Sequence, residues 1–176
     1  MAKNNQVSLK PQDIVVLFKL MLLKEVPFTY ASIGRDLCIS ASEAHASIFR
    51  LKTARLVYSE ESKPYVNRSS FGDFIYHGAQ YAFPATIGGP ALGIVTSYAA
   101  EPLASHISHG DSLPPVWPSS NGSVQGLAFY PLYPSVPKAA KSDPLIYEVL
   151  SLFDAVRGGA ARERKIAKEL INERCL

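Results

Sequence analysis

Residues 29–58 read TYASIGRDLCISASEAHASIFRLKTARLVY, and their apolar spacing decides the first half of the fold. Ile33, Leu37 and Ile39, followed by Ala44, Ile48 and Leu51, recur at three- and four-residue intervals with one slip of phase. That is the pattern of two short helices joined by a tight turn. The slip falls at Cys38, Ile39 and Ser40. Thr29 is placed to cap the first helix, its hydroxyl accepting from the amide of Ala31 or Ser32, and Ser40 is placed to cap the second. With Ala44, Ile48 and Leu51 toward the core, helical geometry turns Ala41, Ser42, His45, Ala46, Phe49 and Arg50 outward.

The run Ile33-Gly34-Arg35-Asp36-Leu37-Cys38-Ile39-Ser40 resembles the L-A-x-x-L-G-I-S motif of bacterial winged helix-turn-helix regulators, MarR-like ones especially. The likeness is limited to about the first 80 residues and departs at Gly34, where alanine is usual, and Cys38, where glycine is usual. A side chain at Cys38 is strained in a left-handed turn, so another backbone geometry or a different tilt of the second helix is expected. The resemblance implies that the second helix enters a DNA major groove. Arg50 is then the chief reader, its planar fork donating twice to a guanine edge, while Ser42 or His45 bonds a base edge or a phosphate. Glu43 would meet cytosine or repel a phosphate. The small residues Ser40, Ala41, Ser42, Ala46 and Ser47 let the helix backbone approach closely, which suits a groove and equally suits another helix.

Residues 56–59 and 65–67 read as short strands around Glu60-Glu61-Ser62-Lys63-Pro64, the hairpin called the wing in this family. Its tip is acidic. Glu60 and Glu61 are repelled by phosphates, which leaves Lys63 and Arg68 as backbone contacts and makes DNA binding weak or partner-assisted.

Upstream, Pro11 suits the first position of a helix that runs to about Glu25 before Pro27 stops it. This helix is apolar on more than one face and too short to span a bilayer, so the C-terminal helices or a second subunit must cover it. The whole chain has 176 residues, a formal charge of +3 and two cysteines, Cys38 and Cys175. Such a chain can bury one sizeable core, has no disulfide framework and shows no signal peptide or membrane span, so a cytoplasmic protein is expected. The positive excess lies in residues 1–80, with 10 basic against 7 acidic side chains. Taken alone it is a weak argument for a nucleic-acid partner.

After the hairpin, Phe71, Phe74, Ile75, Ala79 and Ala82 keep helical spacing behind a cap at Asn67 or Ser69, and this segment is expected to pack on the first helix. Beyond Phe83 the texture changes: residues 84–144 hold ten of the thirteen prolines. They are too apolar and too poor in charge for a disordered linker. Residues 116–130 read as a β-hairpin turning at Asn121-Gly122. Trp117, Phe129, Tyr130 and Tyr133, interleaved with prolines, are candidates for an effector pocket or a protein-docking surface, although core filling is the commoner fate of such residues.

His106-Ile107-Ser108-His109-Gly110-Asp111 raises the question of zinc or a catalytic water. The two imidazoles lack a helix to put them on one face, no second cluster supplies a further ligand, and Ser105 and Ser108 lack a nucleophile-elbow context. The glycines at 88, 89 and 93 lack the lysine of a phosphate loop. No cofactor and no enzymatic activity are expected. Asp143-Pro144 opens a helix through Leu145, Ile146, Val149, Leu150, Phe153 and Val156, and Ala160 to Arg174 forms another after Gly158-Gly159. Arg157, Arg162, Glu163, Arg164 and Lys165 form either a binding face or a solvated one. The run from Asp154 to Lys165 also resembles tails of small regulators from nucleotidyltransferase-type toxin loci, a short likeness that admits an antitoxin role.

The sequence therefore predicts a mainly α chain with small β elements. Residues 1–82 would form a winged helix-turn-helix, residues 83–144 a proline-rich loop and hairpin region packed on the same core, and residues 145–176 C-terminal helices suited to dimerisation. The expected function is a homodimeric transcription regulator that binds double-stranded DNA and blocks polymerase by occupying its operator. The alternatives are a protein-interaction module or antitoxin built on the same scaffold, and a metal-dependent enzyme at His106 and His109.

Overall fold

The computed structural model describes residues 6–24, 26–60, 63–108, 110 and 112–175. Helix α1 (Pro11–Leu23) starts with Pro11 in its first turn, and every residue from Gln12 to Met21 is buried. Its apolar character on several faces has a direct cause. The helix packs against α2 (Tyr30–Leu37), α3 (Ala41–Thr53), α7 (Pro144–Gly158) and α8 (Ala161–Cys175) of its own chain. The Phe18 ring meets Phe71 at 5.5 Å and Phe153 at 5.3 Å, both edge-on, an arrangement that aromatic quadrupoles favour. The cover required by the sequence thus comes from the chain itself. The helix ends at Leu23, short of the expected Glu25, which lies outside the described residues.

Helices α2 and α3 start where the capping signals place them. The Thr29 hydroxyl accepts from the Ser32 amide at 3.0 Å and the Ser40 hydroxyl from the Glu43 amide at 3.1 Å. Both caps are reciprocal, because the Ser32 hydroxyl and the Glu43 carboxylate accept in turn from the Thr29 and Ser40 amides. Cys38 corrects an expectation: it does take the left-handed conformation, φ 55° and ψ 43°. The turn keeps its usual geometry and the cysteine carries the strain. Gly34 explains why the geometry is kept. A Cβ there would lie 2.8 Å from the Ile39 carbonyl oxygen, so only glycine lets the last turn of α2 touch the connection to α3.

After α3, strands β1 (Val57–Glu60) and β2 (Lys63–Val66) pair antiparallel, from Val57 opposite Val66 to Glu60 opposite Lys63. Glu61 and Ser62 lie outside the described residues. Asn67, not Ser69, caps α4 (Arg68–Asp73), accepting from the Ser70 amide at 3.2 Å. The helix widens into a π turn over Phe74–Gly78 before α5 (Ala79–Ala82). Phe71 and Ile75 enter the core, as their spacing requires.

The proline-rich middle differs from the expected hairpin. Strands β4 (Pro115–Pro118) and β5 (Val124–Phe129) do not pair antiparallel about Asn121-Gly122. Each pairs antiparallel with the long β3 (Ile87–Val95), and they meet each other parallel at Pro115–Leu127 and Val116–Ala128, closing a three-stranded barrel. Two strands that are both antiparallel to a third must be parallel to each other. The turn sits one residue earlier than Asn121-Gly122, with the Gly122 amide donating to the Ser119 carbonyl at 3.0 Å. Among the described residues no glycine has positive φ, so the type I′ turn that an Asn-Gly hairpin uses does not form at Asn121-Gly122. At Gly93, where all three strands converge, a Cβ would collide with the Trp117 carbonyl.

Helix α6 (Val136–Ser142) leads into α7, where Asp143 accepts from the amides of Leu145 and Ile146 at 3.0 and 3.2 Å. One hydrophobic cluster runs from Ile14 to Cys175 and takes side chains from all three sequence segments, Trp117 and Val136 included. Among the described residues no helix is long and apolar enough to cross a membrane.

Candidate nucleic-acid interface

The outer face of α3 carries Ala41, Ser42, His45 and Phe49 in exposed positions and Ala46 half-buried, while Ala44, Ile48 and Leu51 fill the core. The helical phase inferred from spacing is correct. Ser40 is exposed as expected, but its hydroxyl is engaged in the helix cap and lies 3.0 Å from the Ser42 hydroxyl. Phe49 is 59% exposed, and His45 meets the Tyr30 ring edge-on at 4.9 Å. Tyr30, at the start of α2, belongs to this surface and was missed. The sequence held no signal for it beyond its place next to the Thr29 cap.

Arg50, the expected reader, points the other way. Its Nε donates to Asp13 Oδ2 at 2.8 Å and its terminal nitrogen to Oδ1 at 2.6 Å, with a further bond to the Ser47 hydroxyl at 3.1 Å. The side chain is only 13% exposed and the Asp13 side chain is fully buried. A buried carboxylate without a cation is costly, and a guanidinium fork matches both of its oxygens. Asp13 therefore draws Arg50 off the surface, and its hydrogen bond holds the guanidinium above its ordinary pKa. Asp13 also accepts the Lys10 amide at 2.8 Å, capping α1. A lone carboxylate at the start of an otherwise apolar helix was the signal that could have revealed this pair.

Glu43 is likewise not a free acid over the groove. It caps α3 and lies 3.5 Å from the Tyr133 hydroxyl, and the amide and hydroxyl of Ser40 hold its carboxyl below the usual range. The elements next to this face in the chain carry further cations: Arg35 exposed on α2, Lys52 half-buried in the last turn of α3, Arg55 exposed just after it, and Lys63 exposed at the start of β2. None of their cationic groups has a hydrogen-bond or ion-pair partner among the described residues. Arg68 is exposed at the start of α4 and reaches the Cys175 carbonyl at 3.5 Å. Arg35, Lys52 and Arg55 thus join the expected Lys63 as groups that can meet phosphates.

The expected partner surface is divided by the fold. Trp117 and Phe129 are buried, Tyr133 is half-buried, and only Tyr130 is half exposed. Trp117 Nε1 donates to Asp154 Oδ2 at 2.6 Å, and the Thr96 hydroxyl donates to the same oxygen at 2.8 Å. Arg157 Nε donates to Asp154 Oδ1 at 2.8 Å and another of its nitrogens to the Tyr130 carbonyl at 2.8 Å, while its guanidinium lies over the Phe129 ring. Burial pushes Asp154 up while these donors hold it down. Arg157 is therefore an internal strut, not part of a basic binding face, and Arg164 is tied to the Gly159 carbonyl at 2.7 Å. The wider clefts lie elsewhere. One of about 900 Å³ and one of about 430 Å³ adjoin between the loop after α1 and the β1–β2 hairpin, sharing Lys24, Val26 and Tyr65.

His106 is exposed at the end of a short 3₁₀ turn, Leu103–His106. His109 and Asp111 lie outside the described residues. Among the described residues no three His, Cys, Asp or Glu side chains converge. The chain matches no protein-family model, no curated protein and no solved structure.

Proposed function

We propose that the chain is a sequence-specific DNA-binding transcription regulator of the winged helix-turn-helix, MarR-like kind, acting by occupancy of its operator and not by catalysis. The carrying observation is the outer face of α3: small and exposed side chains that its own chain leaves uncovered, with cations on α2, α3 and the hairpin that have no partners among the described residues. In this reading α3 enters the major groove and the β1–β2 hairpin is the wing. Arg35, Lys52, Arg55 and Lys63 bond phosphates, which positions the helix without reading sequence. Two copies on a near-palindromic site would set their α3 helices about 34 Å apart, one turn of DNA. The test is to incubate the protein with sheared genomic DNA of its source at physiological salt and to sequence the fragments retained. Enrichment of a few fragments sharing an inverted repeat supports the reading. Uniform or absent recovery by a folded sample overturns it.

A second reading, a protein-interaction module, draws on the barrel. Ile87, Leu113 and Leu127 are exposed there around a pocket of about 130 Å³ that Phe129 floors. Exposed aliphatics gathered about a concavity are common at protein interfaces. Co-purification of a stoichiometric partner lost on Leu127→Asp would favour it.

A further inference from the structure

We infer that the α3 face, in the DNA-binding reading on which this inference rests, selects A·T base pairs through thymine methyl groups, with Phe49 as the main specificity-determining residue. The arginine and the carboxylate of α3, the side chains best suited to a G·C pair, are both engaged within the chain. Guanine is most often read by a bidentate arginine. Arg50, the one arginine of α3, is bonded twice to the fully buried Asp13 and once to Ser47, and releasing it would strand a buried carboxylate. Cytosine is read by a carboxylate that accepts from its amino group. Glu43, the one carboxylate of α3, has its oxygens on the amide and hydroxyl of Ser40 and near the Tyr133 hydroxyl.

Beside the Ser42 hydroxyl, which bonds either kind of pair, and the His45 ring, the face that α3 presents is apolar. Phe49 stands 59% exposed although the core face of the same helix is already filled by Ala44, Ile48 and Leu51, and the methyl groups of Ala41 and Ala46 lie on the outer side with it. The one apolar group that a base pair offers in the major groove is the C5 methyl of thymine, and alanine and phenylalanine are among the residues that contact it. His45 adds a ring N–H that can donate to adenine N7 beside that methyl, or an acceptor nitrogen for the adenine N6 amino group. Lys52, the remaining cation of α3, lies in its last turn and is taken up by a phosphate in the reading on which this inference rests.

The test separates this inference from the reading beneath it. Duplexes are selected from a random library with the full chain, and the enriched site is then resynthesised with deoxyuridine in place of each thymidine, which removes the methyl and keeps every hydrogen bond. The expected result is an A·T-rich half-site in which one or two deoxyuridine substitutions each weaken binding about fourfold, the worth of one buried methyl. Phe49→Ala should bind more weakly and lose that difference, and Phe49→Leu should retain part of it. A G·C-rich half-site, or no response to deoxyuridine, overturns the inference and leaves DNA binding standing. A folded protein that enriches no duplex overturns both.

Discussion

The front of the molecule and its proline-rich middle are each fastened by one buried arginine–aspartate pair, and the two pairs do different things. Arg50–Asp13 ties α3 to α1 and draws only on those two helices, Ser47 and the Lys10 cap amide included. Arg157–Asp154 sits within α7, three residues apart, and reaches outward to Thr96, Trp117 and the Tyr130 carbonyl. The first pair sets the seating of a helix that local signals had already formed. The second holds the ends of three strands that have few local signals of their own. An ion pair that orients a preformed element can be lost with the element intact, whereas one that supplies the shared acceptor of a barrel cannot.

The largest effect should therefore come from Asp154→Ala. It leaves the Arg157 guanidinium, Trp117 Nε1 and the Thr96 hydroxyl without their common acceptor, and breaking a buried pair in this way costs about 3–5 kcal/mol. Urea unfolding followed through Trp117, the only tryptophan, should show the midpoint falling together with native emission. A variant that kept both would mean that the barrel closes without its hub.

Arg50→Ala should cost somewhat less, about 3 kcal/mol, by leaving Asp13 buried and unpaired. Adding Asp13→Asn should recover part of that loss, since an amide is cheaper to bury than a carboxylate. Circular dichroism should report unchanged helix content in both variants. If Arg50→Ala instead left stability untouched and abolished DNA binding, the arginine would be a reader after all and the contrast between the two pairs would fail.

These pairs also mark where the sequence stopped being legible. Thr29, Ser40 and Asp143 act on amides two or three residues away, so each helix start in that set could be read from its neighbours, and the apolar phase of α3 followed from its own spacing. Arg50 finds Asp13 across 37 residues, Trp117 finds Asp154 across 37, and Lys19 finds Asp143 across 124. Helical phase alone places Arg50 at the edge of the outer face, and only its distant partner decides which way it turns. The Asn-Gly pair misled for the same reason, because the pairing of β4 and β5 is fixed by β3, some twenty residues upstream of β4.

A smaller test of the front half is Gly34→Ala. The added methyl meets the Ile39 carbonyl at 2.8 Å, which neither α2 nor the turn can relieve without shifting, and overpacking of this kind costs about 1–3 kcal/mol. The thermal midpoint should fall. Because alanine is the better helix former, an unchanged or raised midpoint would show that α2 can move away from α3.

Smaller again is the acid response of the Lys19 bridge to Asp36 and Asp143, both 2.9 Å away. Burial raises the Asp143 carboxyl, but Lys19 and the α7 amides outweigh it and leave the group below its ordinary value of 3.8. A depressed acid stabilises the fold above that value, and the contribution disappears as pH falls through the folded-state pKa. Asp143→Asn keeps a good helix cap and removes the charge, so its unfolding midpoint should depend less on pH between 5 and 2.5 than that of the parent chain. Equal slopes would assign the acid response to other carboxylates.

Cys38→Gly should have the smallest effect and the opposite sign. Cys38 holds φ 55° and ψ 43°, where a Cβ costs about 1–2 kcal/mol that glycine does not incur. Glycine in turn costs about 0.5–1 kcal/mol of extra chain entropy on folding. The cysteine contributes little in return: its Sγ lies 3.9 Å from the Arg35 carbonyl and the side chain is only half-buried. The difference leaves the variant about 0.5–1 kcal/mol more stable, with the seating of α3 unchanged because the turn already has the geometry glycine prefers. A loss of stability would mean that the cysteine packs more tightly in the α2–α3 turn than its exposure indicates, and that the turn, like the barrel, depends on contacts its own segment does not reveal.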